Sequence, residues 1–291
     1  MSRRNISPQR ARLGDRLREL RAARYRSGAA MARALGWQQT RVSKLQLGVQ
    51  LPSEEDLDAW VMATGAGPDT RAELGELLTQ ARIDHRAWSD DYRSGNIAAS
   101  QAQIGELEAE AAVIREYQPS MLPSIVQTVA YAREMLTAPG GPVLVGATAD
   151  AVEALIAERV KRQALLYEPR RQVRIVLGQA ALTVHFGSVD TLIGQLDRLV
   201  VLSGLPALDL RMLPAAAPSP ILPLSGFSIH DADTLWWETL THETRSTDLE
   251  EIRVHTRVFE LAREAAAAGP DAIALIQRVA ASLREHSTVT C

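Results

Sequence analysis

Apolar residues recur every three to four positions along the first 65 residues, with polar or glycine-containing stretches between the apolar groups. This spacing is typical of short amphipathic helices joined by tight turns. The leucines between Leu13 and Leu20 predict a first helix over residues 8–24. Ser27 is a preferred N-cap and begins a second helix, which ends at Gly36 because glycine readily takes the positive φ of a tight turn.

Three further helices follow in the same region of the chain. One is predicted over about residues 38–47, with Val42 and Leu45 on the face that packs into a core. The next begins at Ser53, which again suits an N-cap. The stretch "DTRAELGELLTQARIDHRAW" predicts a fifth helix, with Thr70 as its cap.

After about residue 100 the pattern becomes mixed. A helix is predicted over residues 102–117. Alternating apolar positions in "RQVRIVLG" and "ALDLRMLP" predict two strands, and the helical stretch between them favours a parallel pair. The segments "SGFSIHD" and "DTLWWETL" predict an antiparallel hairpin that turns at residues 231–233, and two helices follow it.

Together these elements predict a mainly α protein with an α+β C-terminal domain. Residues 1–88 are expected to form a five-helix domain of the helix-turn-helix type, and residues 89–100 a polar hinge. Residues 101–291 are expected to form the α+β domain, a small mixed sheet of about four strands backed by helices.

The distribution of charge adds a functional expectation. The net charge of the 291 residues is only −3, but the segment up to Gly48 carries +10 and the remainder carries −13. A basic segment joined to an acidic body predicts an anionic partner at one end, most simply nucleic acid; a solvated arginine-rich helix is the alternative. Because Cys291 is the single cysteine and no apolar run approaches 18 residues, the sequence predicts a cytoplasmic protein without disulfides or membrane contact.

The segment "LGDRLRELRAAR…MARALGWQQTRVSKLQLGVQLPS" resembles the lambda-repressor-like (Xre-type) helix-turn-helix family. The matching positions are the small residue Ala32, the turn residue Gly36, the pair Val42-Ser43 and Gly48. The resemblance implies binding to double-stranded DNA through the third helix. The residues that it assigns to DNA are Gln38, Gln39, Thr40, Arg41, Ser43 and Lys44.

Within that set, the resemblance gives base edges to Gln39 and Thr40 at the exposed start of the helix. Gln38 and Arg41 are expected at phosphates, and Ser43 and Lys44 at a base edge or the flanking backbone.

Two positions depart from the family pattern. Gly28 stands where the family often has a phosphate-binding Gln, and Gln46 stands where it often has a Glu paired with an Arg, here Arg21. A Gln at this position keeps a hydrogen bond but loses its charge-assisted part, so we expect a weaker anchor for the third helix.

The remainder of the chain also resembles a family, namely the C-terminal domain of unknown function found in many actinobacterial Xre-type regulators. The resemblance rests on "EYQPSMLPSIVQTVAYAREML", "ERVKRQALL", "IVLGQAAL", "GQLDRL", "DLRMLP" and "GFSIHD", with Gln179 in place of the usual Glu. It implies a role in regulation, sometimes together with a small partner protein.

Catalytic patterns are weak in this body. The segment "HETRS" at His242 begins like a zinc-protease helix but lacks the second His, and we expect no metal, no cofactor and no enzymatic activity. One constellation could form a ligand pocket or a partner contact: Glu238 beside Trp237, with Arg159 and Arg162 on one helix face. The alternative for Arg162 is a solvated pair four residues from Glu158.

Trp236 and Trp237 are expected on opposite sides of their strand, one in the core and the other as a wall for a ligand or an anchor for a partner.

The sequence therefore predicts a sequence-specific DNA-binding transcriptional regulator that acts as a homodimer. Its C-terminal domain would sense, dimerise or bind a small protein partner or a small-molecule effector. One alternative is a protein-interaction module, antitoxin-like or a scaffold, with weak DNA binding. The other alternative is an enzyme with a vestigial helix-turn-helix.

Overall fold

The computed structural model describes residues 8–87, 97–239 and 242–289. These residues belong to two compact units. The first unit comprises Met1–Arg86 with Thr244–Asp248, and the second comprises Ala87–Glu243 with Leu249–Cys291. The short segment Thr244–Asp248 is thus distant in sequence from the rest of the first unit.

The first unit is a bundle of five helices with a short strand pair. Its helices are α1 Pro8–Arg24, α2 Gly28–Leu35, α3 Gln39–Gln46, α4 Glu54–Thr64 and α5 Pro68–Arg82. It also contains strand β1 Ile83–Ala87 up to Arg86 and strand β7 His242–Ser246 from Thr244 onward. Strand β1 is hydrogen-bonded to β7, and the N–H of Thr247 donates to the carbonyl of Arg82 at 3.1 Å.

Side-chain caps fix where two of these helices begin. The Ser27 hydroxyl accepts the N–H of Ala30 at 3.1 Å, which confirms the predicted start of α2. Ser53 and Asp56 form a reciprocal capping box at the start of α4. The predicted Thr70 cap is wrong, because α5 begins two residues earlier at Pro68, whose fixed φ suits the first position of a helix.

Leucines from α1, apolar residues from α3 and Trp60 from α4 build the core of the first unit. Leu13 and Leu17 are buried against Val42 and Leu45 of α3, as the spacing predicts. Trp60 is completely buried, and its indole N–H donates to the carbonyl of Leu17 at 3.2 Å. The two faces of α3 are therefore fixed, because its apolar face is held in this core.

The second unit is a mixed sheet with helices on both faces. Its strands are β2 Val113–Gln118, β3 Gln172–Gly178, β4 Leu208–Leu213, β5 Phe227–His230 and β6 Thr234–Glu238. Its helices are α6 Ile97–Glu110, α7 Val129–Thr137, α8 Ala149–Arg162, α9 Val189–Leu202, α10 Leu249–Ala265 and α11 Gly269–Val289. Single 3-10 segments lie at Ser124–Val126, Pro142–Val145, Gln163–Tyr167 and Gln179–Leu182.

These strands lie in the order β6-β5-β2-β3-β4. Strands β2, β3 and β4 are parallel, and β5 and β6 are antiparallel to their neighbours. The predicted parallel pair joined by a helix and the predicted hairpin are both confirmed. The hairpin turns through Asp231, which takes a φ of 51°.

The helix predicted over residues 102–117 is wrong in its second half. Helix α6 ends at Glu110, and residues 113–118 form β2, the middle strand of the five. Ile114 and Tyr117 are both buried and three positions apart. Apolar residues on one face of a helix have the same spacing, so the sequence pattern of this strand resembles that of a helix. The sheet of the second unit therefore has one strand more than the predicted four. Of the predicted hinge 89–100, residues 89–96 lie outside the described residues and residues 97–100 belong to α6.

The two faces of this sheet have different environments. One face packs on α10, where Tyr117 and Phe227 meet Phe259. The other face packs on α9 through residues such as Ile175 and Leu196. Glu116 of β2 lies beside Ile175 in the sheet register, so this second face changes from apolar to polar at β2.

Candidate functional site

The turn between α2 and α3 has the geometry of a helix-turn-helix. Gly36 takes a φ of 68°, and the N–H of Trp37 donates to the carbonyl of Ala32 at 2.8 Å. Helix α3 then begins at Gln39, with Gln38 as an N-cap whose side chain makes no capping hydrogen bond. The polar side chain of Gln38 is therefore not used to close the helix.

The six residues predicted to contact DNA all lie on α3 or at its start, and all six are exposed. Within this group the Thr40 hydroxyl is 3.5 Å from Oε1 of Gln38, at the outer limit of a hydrogen bond. Since Val42 and Leu45 hold the opposite side of the helix in the core, these side chains form one outward polar surface. This α3 surface consists of Gln38, Gln39, Thr40, Arg41, Ser43 and Lys44.

Arg41 differs from the other residues of the α3 surface because two groups of its own unit hold it. Its guanidinium lies 2.7 Å from a carboxylate oxygen of Asp56 and 4.6 Å above the ring of Trp37. The second carboxylate oxygen of Asp56 accepts the N–H of Ser53 in the α4 capping box. Asp56 therefore links the start of α4 to α3. The sequence analysis did not identify this role, although Asp56 stands at the third helical position after a Ser cap.

The expected pairing of Arg21 with Gln46 is wrong. Arg21 donates to the carbonyl of Tyr25 at 3.0 Å, and the backbone carbonyl of Gln46 accepts from Arg18 at 2.8 Å. The side-chain nitrogen of Gln46 is buried without a hydrogen-bond partner among the described residues. A Cβ on Gly14 would come within 2.7 Å of the Gln46 carbonyl oxygen, so α1 and the end of α3 meet by backbone contact. The end of α3 is held through main-chain groups rather than by a charge pair.

In the second unit, a cavity of about 390 Å³ opens on the polar part of the sheet. Helices α6 and α8, strands β2, β5 and β6, and the segment after β2 all contribute to its wall. A second cavity of about 550 Å³ adjoins it and has a mostly apolar lining. The residues common to both are Gln101, Met121, Met135, Arg159 and Glu238. The predicted constellation of Glu238, Trp237, Arg159 and Arg162 is thus assembled around the first cavity.

A buried ion pair forms one side of the first cavity. Arg162 donates from Nε and from Nη2 to the two carboxylate oxygens of Glu108, and from Nη1 to Oε1 of Gln101 at 2.9 Å. Burial opposes the charge on Arg162, but the charge and hydrogen bonds of Glu108 outweigh it, and the pKa of Arg162 is raised. The expected pair with Glu158 is wrong, because Glu158 pairs with Lys161.

Glu116 projects from β2 into the same cavity. Its carboxylate accepts one hydrogen bond from Nε2 of Gln118 at 3.1 Å. Burial raises the pKa of Glu116 to about 7, and the charges of Glu108 and Glu238 act in the same direction. Gln118 and Arg162 oppose this shift but do not cancel it. A carboxylate that changes charge near neutral pH therefore faces the cavity.

The remaining polar wall consists of residues held by their neighbours. Arg159 donates to Oε1 of Gln127 at 2.9 Å. The imidazole of His230 stacks on Trp236 with ring centroids 6.1 Å apart, and its Nε2 lies 2.9 Å from the hydroxyl of Ser228. Such contacts restrict the rotamers of the lining side chains, so the cavity has a preformed shape.

The two tryptophans of β6 both line the first cavity and both are partly buried, but they have different aromatic partners. Trp237 packs against the core beneath α10 and stacks on His255. Trp236 lines the first cavity and stacks on His230.

In the parts of the chain that the structure describes, no group of three or more His, Cys, Asp and Glu residues could hold a metal ion. His242, the first residue of "HETRS", begins strand β7 rather than a helix. Nor is any described helix both long enough and apolar enough to cross a membrane.

Comparison with known proteins gives two family matches. Residues 101–278 match the model of DUF5753, a domain of unknown function, and residues 12–74 match the model of a helix-turn-helix domain. Curated proteins give no match.

Among solved structures, the chain is similar to TrmBL2, described as an archaeal chromatin protein with a novel mode of DNA binding. The identity is 13%, over 88% of this chain and 99% of that chain, with a TM-score of 0.31. A likeness at this score carries no argument about fold or function.

Proposed function

The chain belongs to the DUF5753 family, whose domain of unknown function follows a helix-turn-helix domain here, and we propose that it is a DNA-binding transcriptional regulator. The α3 surface is the single observation that carries this proposal. It presents six exposed polar side chains on a helix whose apolar face is fixed in a core, and a recognition helix in the major groove has this arrangement.

Within the α3 surface, we assign base edges to Gln39 and Thr40, because they lie at the N-terminal end of the helix, which enters the groove first. A Gln can make two hydrogen bonds to adenine. Ser43 and Lys44 would follow one turn later, at a base edge or the backbone, and Gln38 would approach a phosphate. For Arg41 we propose a phosphate contact from the guanidinium while Asp56 and Trp37 keep it in place.

We also propose an oligomeric state for the protein. One small helix-turn-helix makes too few phosphate contacts for tight binding, and we therefore propose an Xre-type homodimer on two half-sites about 34 Å apart. We assign the second unit to effector sensing, since its cavity is preformed and of the kind that binds small molecules. The contact between the Ser228 hydroxyl and Nε2 of His230 in its wall is the observation that favours catalysis as the second candidate function. A cytoplasmic location would follow from the sensing role.

The experiment is a selection of bound duplexes from a random pool, followed by fluorescence anisotropy on the selected and scrambled sequences over a range of salt concentrations. We expect a specificity ratio above about 1000, with affinity falling steeply as salt rises. Equal binding to both sequences would refute sequence-specific recognition.

Variants locate the contact surface. Gln39→Ala and Thr40→Ala should each reduce the preference for the selected sequence by about 1–3 kcal/mol. Lys44→Ala should weaken binding to both sequences and reduce the salt slope by about 1 if it contacts phosphate. The matched control is Gln80→Ala, which removes an exposed Gln from α5 and should change neither quantity. An effect of Gln80→Ala equal to that of Gln39→Ala would overturn the assignment to α3.

A further inference from the structure

The charges around the first cavity of the second unit do not balance. Arg162 and Glu108 form a bidentate pair and compensate each other. Glu116 and Glu238 also line this cavity, and in the described part of the chain neither has a cationic group within 4 Å. Three carboxylates, those of Glu108, Glu116 and Glu238, and two guanidinium groups, those of Arg159 and Arg162, thus line the cavity. With Glu116 ionised, the wall carries one negative charge more than positive.

The sheet register places an aromatic ring near this excess charge. Glu116 of β2 lies opposite Ser228 of β5, which in turn lies opposite Trp236 of β6. Directly opposed residues in a sheet share a face, and adjacent strands are about 4.8 Å apart. The carboxylate and the indole therefore flank the small Ser228 side chain on one face. A carboxylate binds an ammonium ion through charge-assisted hydrogen bonds, and the face of a tryptophan attracts it by a cation–π interaction.

The arginines of the wall do not make the cavity an anion site. Arg162 uses Nε, Nη1 and Nη2 on Glu108 and Gln101. Arg159 donates to Gln127. An anionic ligand would have to compete with these contacts and would also approach Glu116. A neutral ligand would provide no partner for the ionised form of Glu116, which is present in part near neutral pH because the pKa is about 7.

The adjoining cavity supplies room for an apolar group. Its wall includes Met121, Met135, Leu136, Leu155 and Phe186, and it meets the first cavity at Glu238. Methionine side chains adapt to varied shapes, which suits the binding of a hydrocarbon body. The two volumes are each in the range of small-molecule sites.

From these observations we propose that the second unit binds a small organic cation, a protonated amine that lies between Glu116, Glu238 and Trp236 with its apolar body in the adjoining cavity. This inference deepens the sensing role proposed above, because it names the class of effector. It rests on that proposed function only for the link to DNA, since the binding itself is a property of the second unit.

The test uses isothermal titration of the full chain with three amines of increasing bulk, cyclohexylamine, 2-phenylethylamine and tryptamine. Each is compared with the alcohol of the same skeleton, namely cyclohexanol, 2-phenylethanol and tryptophol. At least one amine should bind tenfold or more tightly than its alcohol, because only the amine supplies a charge to Glu116. Equal affinities throughout, or no binding of any amine, would overturn the proposal.

Variants then assign the binding to this cavity. Glu116→Gln should remove the tenfold advantage of the amine, and Trp236→Leu should reduce it. Glu153→Gln is the matched control, since Glu153 is an exposed carboxylate paired with Arg133, and it should keep the full advantage. An advantage that survives Glu116→Gln would refute the assignment. The titration contains no DNA, so it can fail while sequence-specific DNA binding stands, and the reverse also holds.

Discussion

Each of the two units contains an arginine–carboxylate pair beside its candidate site, but the two pairs differ in burial. In the first unit Arg41 is 44% exposed and Asp56 6% exposed, and the polar side chains around them point to solvent. In the second unit Arg162 and Glu108 are 11% and 9% exposed, and the polar side chains around them point into a cavity. The same chemistry thus supports an outward surface in one unit and an enclosed site in the other.

Burial changes what such a pair contributes. A pair with one exposed partner adds little net stability, because water solvates the exposed guanidinium of Arg41 nearly as well as the carboxylate does. A buried pair also has a small net effect while it is intact, but the loss of one partner leaves an uncompensated charge in a poor solvent. We therefore expect the Arg41 pair mainly to orient helix α3. We expect the wall of the cavity to fold stably only while both Arg162 and Glu108 are present.

The largest expected effect is that of Arg162→Met, which removes one partner of the buried pair. We expect the free energy of unfolding to fall by about 3–5 kcal/mol, because Glu108 is then buried without a partner and close to Glu116. Urea denaturation measures this change. The control Arg133→Met removes an exposed partner of Glu153 and should leave the free energy of unfolding nearly unchanged. If both variants lose the same stability, burial does not make the pair of Arg162 and Glu108 more important for stability than an exposed pair.

Glu116 should make the free energy of unfolding depend on pH. An unfolded Glu has a pKa near about 4.3, and the folded protein raises the pKa of Glu116 to about 7. The folded state binds this proton more tightly than the unfolded state does. The contribution of Glu116 to the free energy of unfolding is therefore largest below about pH 4. It decreases as the pH rises to about 7.

Glu116→Gln should abolish this decrease and make the protein more stable than wild type at pH 8, by up to about 3 kcal/mol. Urea denaturation at pH 4, 6 and 8 measures the difference, which should vanish at the lowest pH. A constant difference at all three values would show that Glu116 ionises like an exposed carboxylate.

The smallest expected effect belongs to the first unit. Asp56→Asn keeps an oxygen for the cap of α4 but removes the charge that holds Arg41, and we expect a loss of about 1–2 kcal/mol. Amide hydrogen exchange should speed up in α3 and α4 while the second unit is unchanged. Glu19→Gln, which removes a partly exposed partner of Arg16, is the control and should leave exchange unaltered. Equal acceleration in the two variants would contradict the orienting role of Asp56.

The sequence predicts the first unit well because its signals are local. Ser27, Gly36 and Ser53 each specify a helix boundary within three or four residues, and the structure confirms all three. The assignment of the α3 surface to DNA stays a prediction, since it depends on a ligand. The link from Arg41 to Asp56 was missed because it joins two helices, and a capping Asp has a sufficient local explanation.

The second unit is less predictable because its polar residues face inward. The pattern that identifies a strand relies on polar side chains pointing to solvent, whereas Glu116 and Gln118 point into a cavity. The sequence therefore predicts a helix where the structure has β2. A pair of Arg162 with its helical neighbour Glu158 is one of the two alternatives that the sequence offers, but the partner Glu108 lies 54 residues away in sequence. The arginine face of α8 was nevertheless a correct guide to the cavity wall.

The segment Thr244–Asp248 has a consequence for the order in which the chain folds. The helices of the first unit are made early in synthesis and contact one another over short distances in sequence, which favours rapid folding. Strand β1 receives its partner β7 only after about 160 more residues, on the order of ten seconds later at the usual rate of translation. Until then β1 has an open edge that can pair with another chain, and a protein truncated before residue 244 would keep that edge open permanently.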